Sequence, residues 1–285
     1  MKIAISAATG HFGQLAIQEL LKTVAAGDIV AVVRNREKGQ RLLPAGITVR
    51  QADYTDEVAM TTALAGIDRL LFISSVPGGP ISRQQQHANV VKAAQAAGVS
   101  YVAYTSFAKA DTAQSPLSKD HVATEALLKA SGLQVSFLRN AWYLENELSY
   151  LQAGAQGQDS VYAAGDCRIG FALEREYAEA AAIVMTMPVP KPVYEFAGTP
   201  VTYAELAATL QTVTSQAVTF KAVSDDTYRQ AMREAGVAPE LVEVLLSMQI
   251  MMRAGELDVT SSDLADVLGR PVTPLATAIR EILSR

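Results

Sequence analysis

An α/β fold on a doubly wound parallel sheet is predicted by three features of this 285-residue sequence. Short apolar runs alternate with amphipathic segments through the first half, a glycine turn joins the first run to the first amphipathic segment, and single glycines close several helical patterns just before a new run. Hydrophobic residues make up 49% and charged residues 19%, a balance that suits a globular chain rather than a disordered one.

Taken in order, the runs 2–6, 29–34, 48–51, 69–75, 101–106 and 134–140 have the length and apolar content of buried strands. Between them, 13–24 sets Leu15, Ile17, Leu20, Leu21 and Val24 near one helical face, and 36–43, 57–65, 82–97 and 118–131 also read as helices. Strands and helices alternating at these lengths make right-handed βαβ units. Gly98 and Gly132 fall where C-terminal caps belong, and Asp56 or Thr55 stands where a helix start needs a capping oxygen. Beyond Asn140 the rhythm loosens. Helices are expected over 142–152, 174–187, 203–214, 225–235, 239–253, 262–268 and 274–283, with strands over 161–164 and 192–197. The expectation is a Rossmann-type domain over residues 1–140 and a smaller C-terminal α+β lobe over 141–285, packed on it with segments free to interleave.

The first strand runs into Ala7-Ala8-Thr9-Gly10-His11-Phe12-Gly13 and then a helix, the context a dinucleotide turn requires. Gly10 lets the backbone approach phosphates, and Gly13 lets the helix pack closely on the strand. Ala7 stands where the usual pattern has glycine. A positive φ there would cost alanine roughly 1–2 kcal/mol, whereas a negative φ would only narrow the turn. The second strand ends Val32-Val33-Arg34-Asn35-Arg36, with no carboxylate to hold the ribose hydroxyls of NAD. Arg34 instead suits a 2′-phosphate through charge-assisted bonds worth about 1.5–3 kcal/mol each, and Arg36 and Lys38 add to the local field. The expected cofactor is NADP(H).

The ordered set of motifs is similar to the NmrA-like atypical short-chain dehydrogenase/reductases. It comprises the turn above, Val49-Arg50-Gln51-Ala52-Asp53-Tyr54, Leu71-Phe72-Ile73-Ser74-Ser75, Gln86-His87-Ala88-Asn89, Tyr104-Thr105-Ser106, His121-Val122-Ala123-Thr124-Glu125 and Leu138-Arg139-Asn140-Ala141-Trp142-Tyr143-Leu144-Glu145-Asn146. Within that family it most resembles the bacterial NAD(P)H:quinone oxidoreductases. The resemblance spans nearly the whole chain, and it implies an NADPH-dependent reduction of quinones by hydride transfer to a stacked acceptor. Some members of the family are instead non-catalytic NADP(H) sensors that regulate a partner protein, and that alternative stands beside the first. Carried over by motif, Ala8, Thr9, Gly10, His11, Phe12 and Gly13 would cradle the pyrophosphate, Arg34 would meet the 2′-phosphate, and Asp53 and Tyr54 would lie beside the adenine. Ser74, Ser75, Val76 and Ser106 would border the ribose, and Asn140, Ala141, Trp142, Tyr143, Leu144 and Glu145 would approach the nicotinamide. Relatives often carry Arg-Ala-Asp-Tyr where this chain reads Glu174-Arg175-Glu176-Tyr177, which leaves any ligand role of that arginine open.

Short-chain dehydrogenases typically use a Tyr-x-x-x-Lys pair, and the matching positions here are Leu117 and His121. Without a tyrosine acid a ketone is a poor substrate, because its alkoxide product needs a proton donor. A quinone gives a phenolic oxygen with a pKa of about 10, which water protonates readily. The candidate catalytic residues are Asn140, hydrogen-bonding the acceptor or the nicotinamide amide, Tyr143 as a wall of the site, and His121 as a proton relay. Plain helix-surface placement for His121, and lobe packing for Trp142 and Tyr143, are the competing readings. His87 reads as structural, Cys167 lacks a partner base in the sequence, and Met248, Met251 and Met252 read as lobe core or interface.

The net charge of −5 speaks against nucleic acid and anionic membranes as partners. The three histidines have no metal-ligand spacing, so no metal site is expected. With one cysteine, no signal-peptide pattern at Met1-Lys2-Ile3 and no long apolar stretch, a cytoplasmic protein is expected. Its partner would be a small-molecule acceptor and, at most, a second copy in a homodimer.

Overall fold

Strand β1 (Ile3–Ile5) is buried along its whole length, as consecutive apolar residues are when helices cover both faces of a parallel sheet. Ile3 and Ile5 face one core while Ala4 faces the other, the period of two that a strand imposes. In the computed structural model, which describes residues 1–76 and 78–285, strands β2 (Ile29–Val33), β3 (Thr48–Gln51), β4 (Arg69–Phe72), β5 (Tyr101–Phe107) and β6 (Gln134–Asn140) follow. They alternate with helices α1 (His11–Leu20), α2 (Arg36–Leu42), α3 (Glu57–Ala63), α4 (Arg83–Ala96) and α5 (Pro116–Ala130). Local chemistry sets the ends: Asp56 Oδ1 accepts the Ala59 N–H at the start of α3, and Gly98 and Gly132 take φ of +72° and +75° just after α4 and α5.

The chain leaves the sheet through β7 (Trp142–Tyr143), α6 (Leu148–Ala155), β8 (Ser160–Tyr162) and β9 (Phe171–Ala172). It returns with α7 (Glu174–Thr186), packed on α1, and β10 (Val193–Phe196). The remaining elements are α8 (Tyr203–Thr214), β11 (Phe220–Ala222), α9 (Asp225–Glu234), α10 (Pro239–Arg253), α11 (Asp263–Leu268) and α12 (Leu275–Leu283). The resulting seven-stranded parallel sheet has the order β10-β6-β5-β4-β1-β2-β3. Its winding reverses between β1 and β4, which opens a crevice at the carboxyl ends of those strands. Two small parallel pairs, β8 with β11 and β7 with β9, belong to a second lobe with its own core around Tyr203, Leu206, Leu210 and Ile279. Among the described residues, no helix is long and apolar enough to cross a membrane.

Strands β9 and β11 lie where no strand was expected, and α1 begins at His11, ahead of the expected start at Gly13. The helix expected over 142–152 is a two-residue strand, a 3₁₀ turn at Leu144–Glu147 and then α6. The reason is tertiary: Trp142 and Tyr143 pair with Phe171 and Ala172, and the Glu145 carboxylate accepts the Glu174 N–H at the start of α7. The end of β6 is pinned by Arg139, buried and paired to Glu125 at 2.7 Å, Asp111 at 2.7 Å and Glu195 at 3.0 Å. Those bonds hold the adjoining Asn140 at the rim of the crevice.

Candidate active site

The turn after β1 is built around a strained residue. Ala7 sits at φ +48°, the left-handed region that an L side chain enters only at a cost. Its carbonyl accepts the Gly10 N–H at 2.9 Å, the Ala8 N–H donates to Val32 at 3.3 Å, and the Thr9 carbonyl accepts from the Gln14 amide at 3.2 Å. Helix α1 then begins with no capping side chain and no acid in its first turn, whereas α2 to α5 are capped by Asn35, Asp56, Ser82 and Ser115. Its first N–H groups and the positive end of its dipole are thereby left for an anion. Gly13 has no room for a side chain, since a Cβ would lie 2.8 Å from the Ala7 oxygen and 2.8 Å from Ala8 Cα. Phe12 is buried against the Tyr143 ring, with centroids 6.2 Å apart, and exposed His11 pairs with Glu174 at 2.5 Å.

At the tip of β2, Arg34 is exposed and its carbonyl accepts from the Gln51 amide at 3.1 Å. Asn35 is committed to capping α2, its Oδ1 accepting the Lys38 N–H at 2.8 Å, so the guanidinium is the group that faces outward there. Asp53 Oδ1 accepts the Thr55 N–H at 2.8 Å. Tyr54 is buried, its hydroxyl 2.5 Å from Ser6 Oγ and 2.7 Å from the Ile73 carbonyl, so it props the ends of β1 and β4 from beneath.

The segment after β4 is held from three sides. Ser74 N–H donates to Thr105 Oγ1 at 2.8 Å, Ser75 N–H to His87 Nε2 at 3.0 Å, and Arg83 Nε to the Ser75 carbonyl at 2.6 Å, while the Val76 side chain is exposed. His87 accepts at Nε2, so its proton is on Nδ1 beside Thr124 Oγ1 at 2.8 Å. Burial drives its pKa down to about 3, and the ring stays neutral. Arg83 and Thr105 were missed in the sequence. Arg83 lies four residues before His87 on α4, and that shared face was the available signal.

One expectation is corrected here. His121 is no proton relay: it is buried, its Nε2 takes Arg83 Nη2 at 3.1 Å and its Nδ1 meets the Tyr104 hydroxyl at 2.9 Å. Burial and the Arg83 charge hold its pKa well below the usual histidine value. The Ser106 side chain is buried inside the sheet and donates to Glu125 at 2.7 Å.

At the nicotinamide end of the crevice, Asn140 is buried, donates from Nδ2 to the Tyr143 hydroxyl at 3.0 Å, and leaves Oδ1 without a partner. Tyr143 lies between Phe12 and Tyr177, and burial holds its phenol above the ordinary value, so it is a neutral hydrogen-bond donor. Ala141 N–H donates to the Phe196 carbonyl, and Leu144 is fully buried. Trp142 points the other way, its Nε1 donating to Glu147 at 2.9 Å within the second lobe. The Glu145 carboxylate accepts the Glu174 N–H at the start of α7 and pairs with Arg285 at 3.3 Å. Arg175 pairs with Glu281 at 2.8 Å, and Leu117 is packed on the lobe core. Buried Cys167 has its thiol pushed up to about 11, which keeps it unreactive.

Two independent observations describe what fits this crevice: the uncapped α1 start over the Gly10–Gly13 turn suits an anionic group, and the orphaned Asn140 oxygen at the far end suits a hydrogen-bond donor. The NAD(P)H-binding family model matches residues 7–169. Quinone oxidoreductase 2 of Escherichia coli (strain K12) is 41% identical over 284 residues, 99% of either chain. The NmrA-like family domain-containing oxidoreductase flvB of Aspergillus flavus is 28% identical over 295 residues, 99% of this chain and 95% of the relative. Among solved structures, an Escherichia coli NADPH-dependent quinone oxidoreductase complexed with NADPH superposes with a TM-score of 0.93, at 41% identity and 99% coverage of both chains.

Proposed function

The chain belongs to the NAD(P)H-binding family, in its NmrA-like branch, and from that premise we propose that it is an NADPH-dependent quinone oxidoreductase. The relative that is 41% identical over 99% of its length is named a quinone oxidoreductase, and the solved structure at 41% identity is named an NADPH-dependent one. NADPH, when bound, supplies the hydride that the acceptor takes up. The chain's own residues bind and orient. The N–H groups of His11 to Gly13 and the dipole of α1 hold the pyrophosphate, and Arg34 holds the 2′-phosphate. Asn140 offers its unpartnered oxygen to the carboxamide amine, and the Tyr143 hydroxyl donates towards the acceptor. Tyr54, His87 and Arg83 keep the strand ends and the segment after β4 in place.

The observation that carries the acceptor class is the lack of an acid where short-chain dehydrogenases keep one. Leu117 stands in place of the tyrosine, and His121, four residues on, is closed off and neutral. A product oxygen that water can protonate is then required, and a hydroquinone meets that requirement. Oxidation of NADPH dependent on added benzoquinones and naphthoquinones, without flavin or metal, is the expected result. Tight NADPH binding with no turnover on the whole panel would contradict it and favour the sensor reading.

A further inference from the structure

The second lobe contains a cavity of about 600 Å³ that the reaction above does not use. Strand β7 separates it from the crevice. Neighbouring residues of a strand point to opposite faces, so Tyr143 turns to Phe12 at the glycine turn while Trp142 forms a wall of the cavity. Tyr150, Tyr228, Met232, Met248 and Met252 complete an aromatic and thioether lining suited to an aryl group. The charged residues on the lining are Glu147 and Asp159, with no lysine, arginine or histidine among them.

Glu147 is the unusual member. It is 3% exposed, and its oxygens accept from the Trp142 indole at 2.9 Å and the Tyr203 hydroxyl at 3.0 Å. Both partners are neutral, and burial pushes the carboxyl up to about 7. A carboxylate accepts at about four positions and is costly to bury without a cation, so this one retains acceptor capacity and, once ionised, an unmet charge. An ammonium group supplies hydrogen and charge together, and the aromatic walls add attraction for a cation.

We propose that this cavity binds an arylalkyl ammonium ligand, its aromatic body against Trp142, Tyr150 and the methionines and its protonated amine on the Glu147 carboxylate. The site is separate from the quinone reading and stands or falls without it. Trp142 is the sole tryptophan of the chain, so its fluorescence reports occupancy directly. Titration of the wild-type protein with 4-phenylbutylamine should change that emission saturably, and the neutral 4-phenylbutanol should bind at least about tenfold more weakly. Glu147→Gln should bring the amine down to the affinity of the alcohol, with NADPH binding retained as the sign that the variant is folded. If the variant does not fold, the wild-type ratio of amine to alcohol decides by itself. Equal affinities for the two probes, no saturable response to the amine, or a preference that survives Glu147→Gln would each overturn the assignment.

Discussion

Ala7 holds φ at +48° within a turn whose geometry is set by neighbours on either side, the Gly10 N–H bonded to its carbonyl and β1 bonded to β2 and β4. Left-handed backbone costs an alanine roughly 1–2 kcal/mol, and a glycine loses roughly 0.5–1 kcal/mol more entropy on folding. The strain outweighs the entropy, so Ala7→Gly should raise the unfolding free energy in urea by about 0.5–1 kcal/mol. Glu147 gives a second prediction at this scale. Its folded pKa of about 7 lies above the ordinary 4.5, so the native state keeps a proton that the unfolded chain has already released. Its contribution is therefore fully present below pH 4.5 and is lost as pH rises through 7. Glu147→Gln, which removes that titration, should gain on the wild type by roughly 1–3 kcal/mol between pH 5 and pH 8. Thermal unfolding at the two pH values checks it, and a constant difference would contradict it.

Among the elements, the contact between α1 and the turn beneath it positions the site. A Cβ on Gly13 would lie 2.8 Å from backbone atoms of Ala7 and Ala8, and backbone cannot swing aside as a side chain does. Gly13→Ala should push α1 off the turn, costing about 1–3 kcal/mol of stability and at least about tenfold in NADPH affinity, as equilibrium unfolding and calorimetry would show. The elements that position the site were also the legible ones. Strands 1 to 6 and their helices could be read because continuous apolar runs, glycine caps and 3.6-residue spacing are local signals. Strand β7 was not legible: Trp142 and Tyr143 lie at the head of a segment with helical composition, and their extended form comes from Phe171 and Ala172, some thirty residues away. The same holds for His121 and Ser106. Sequence puts each beside the crevice, but their hydrogen bonds to Arg83, Tyr104 and Glu125 come from other elements, and no spacing rule exposes them.

At the scale of the whole molecule, the chain builds one half of the site from the first strands and the other from residues that leave the sheet at Asn140 and come back with β10. Gly10, Gly13 and Arg34 were readable because a dinucleotide imposes its own spacing on a strand, a turn and a strand tip. The nicotinamide end depends on packing between the halves, Phe12 against Tyr143 and Tyr143 against Tyr177, so its geometry emerged only from the folded chain. On the proposed function, the uncapped helix start and the Arg34 guanidinium jointly select a 2′-phosphorylated dinucleotide. Calorimetric titration of wild-type and Arg34→Ala protein with NADPH and with NADH tests that most directly. Loss of the charged contacts should weaken NADPH binding by roughly 10- to 100-fold and leave NADH nearly unchanged. Equal losses for the two cofactors, or no loss for NADPH, would contradict it.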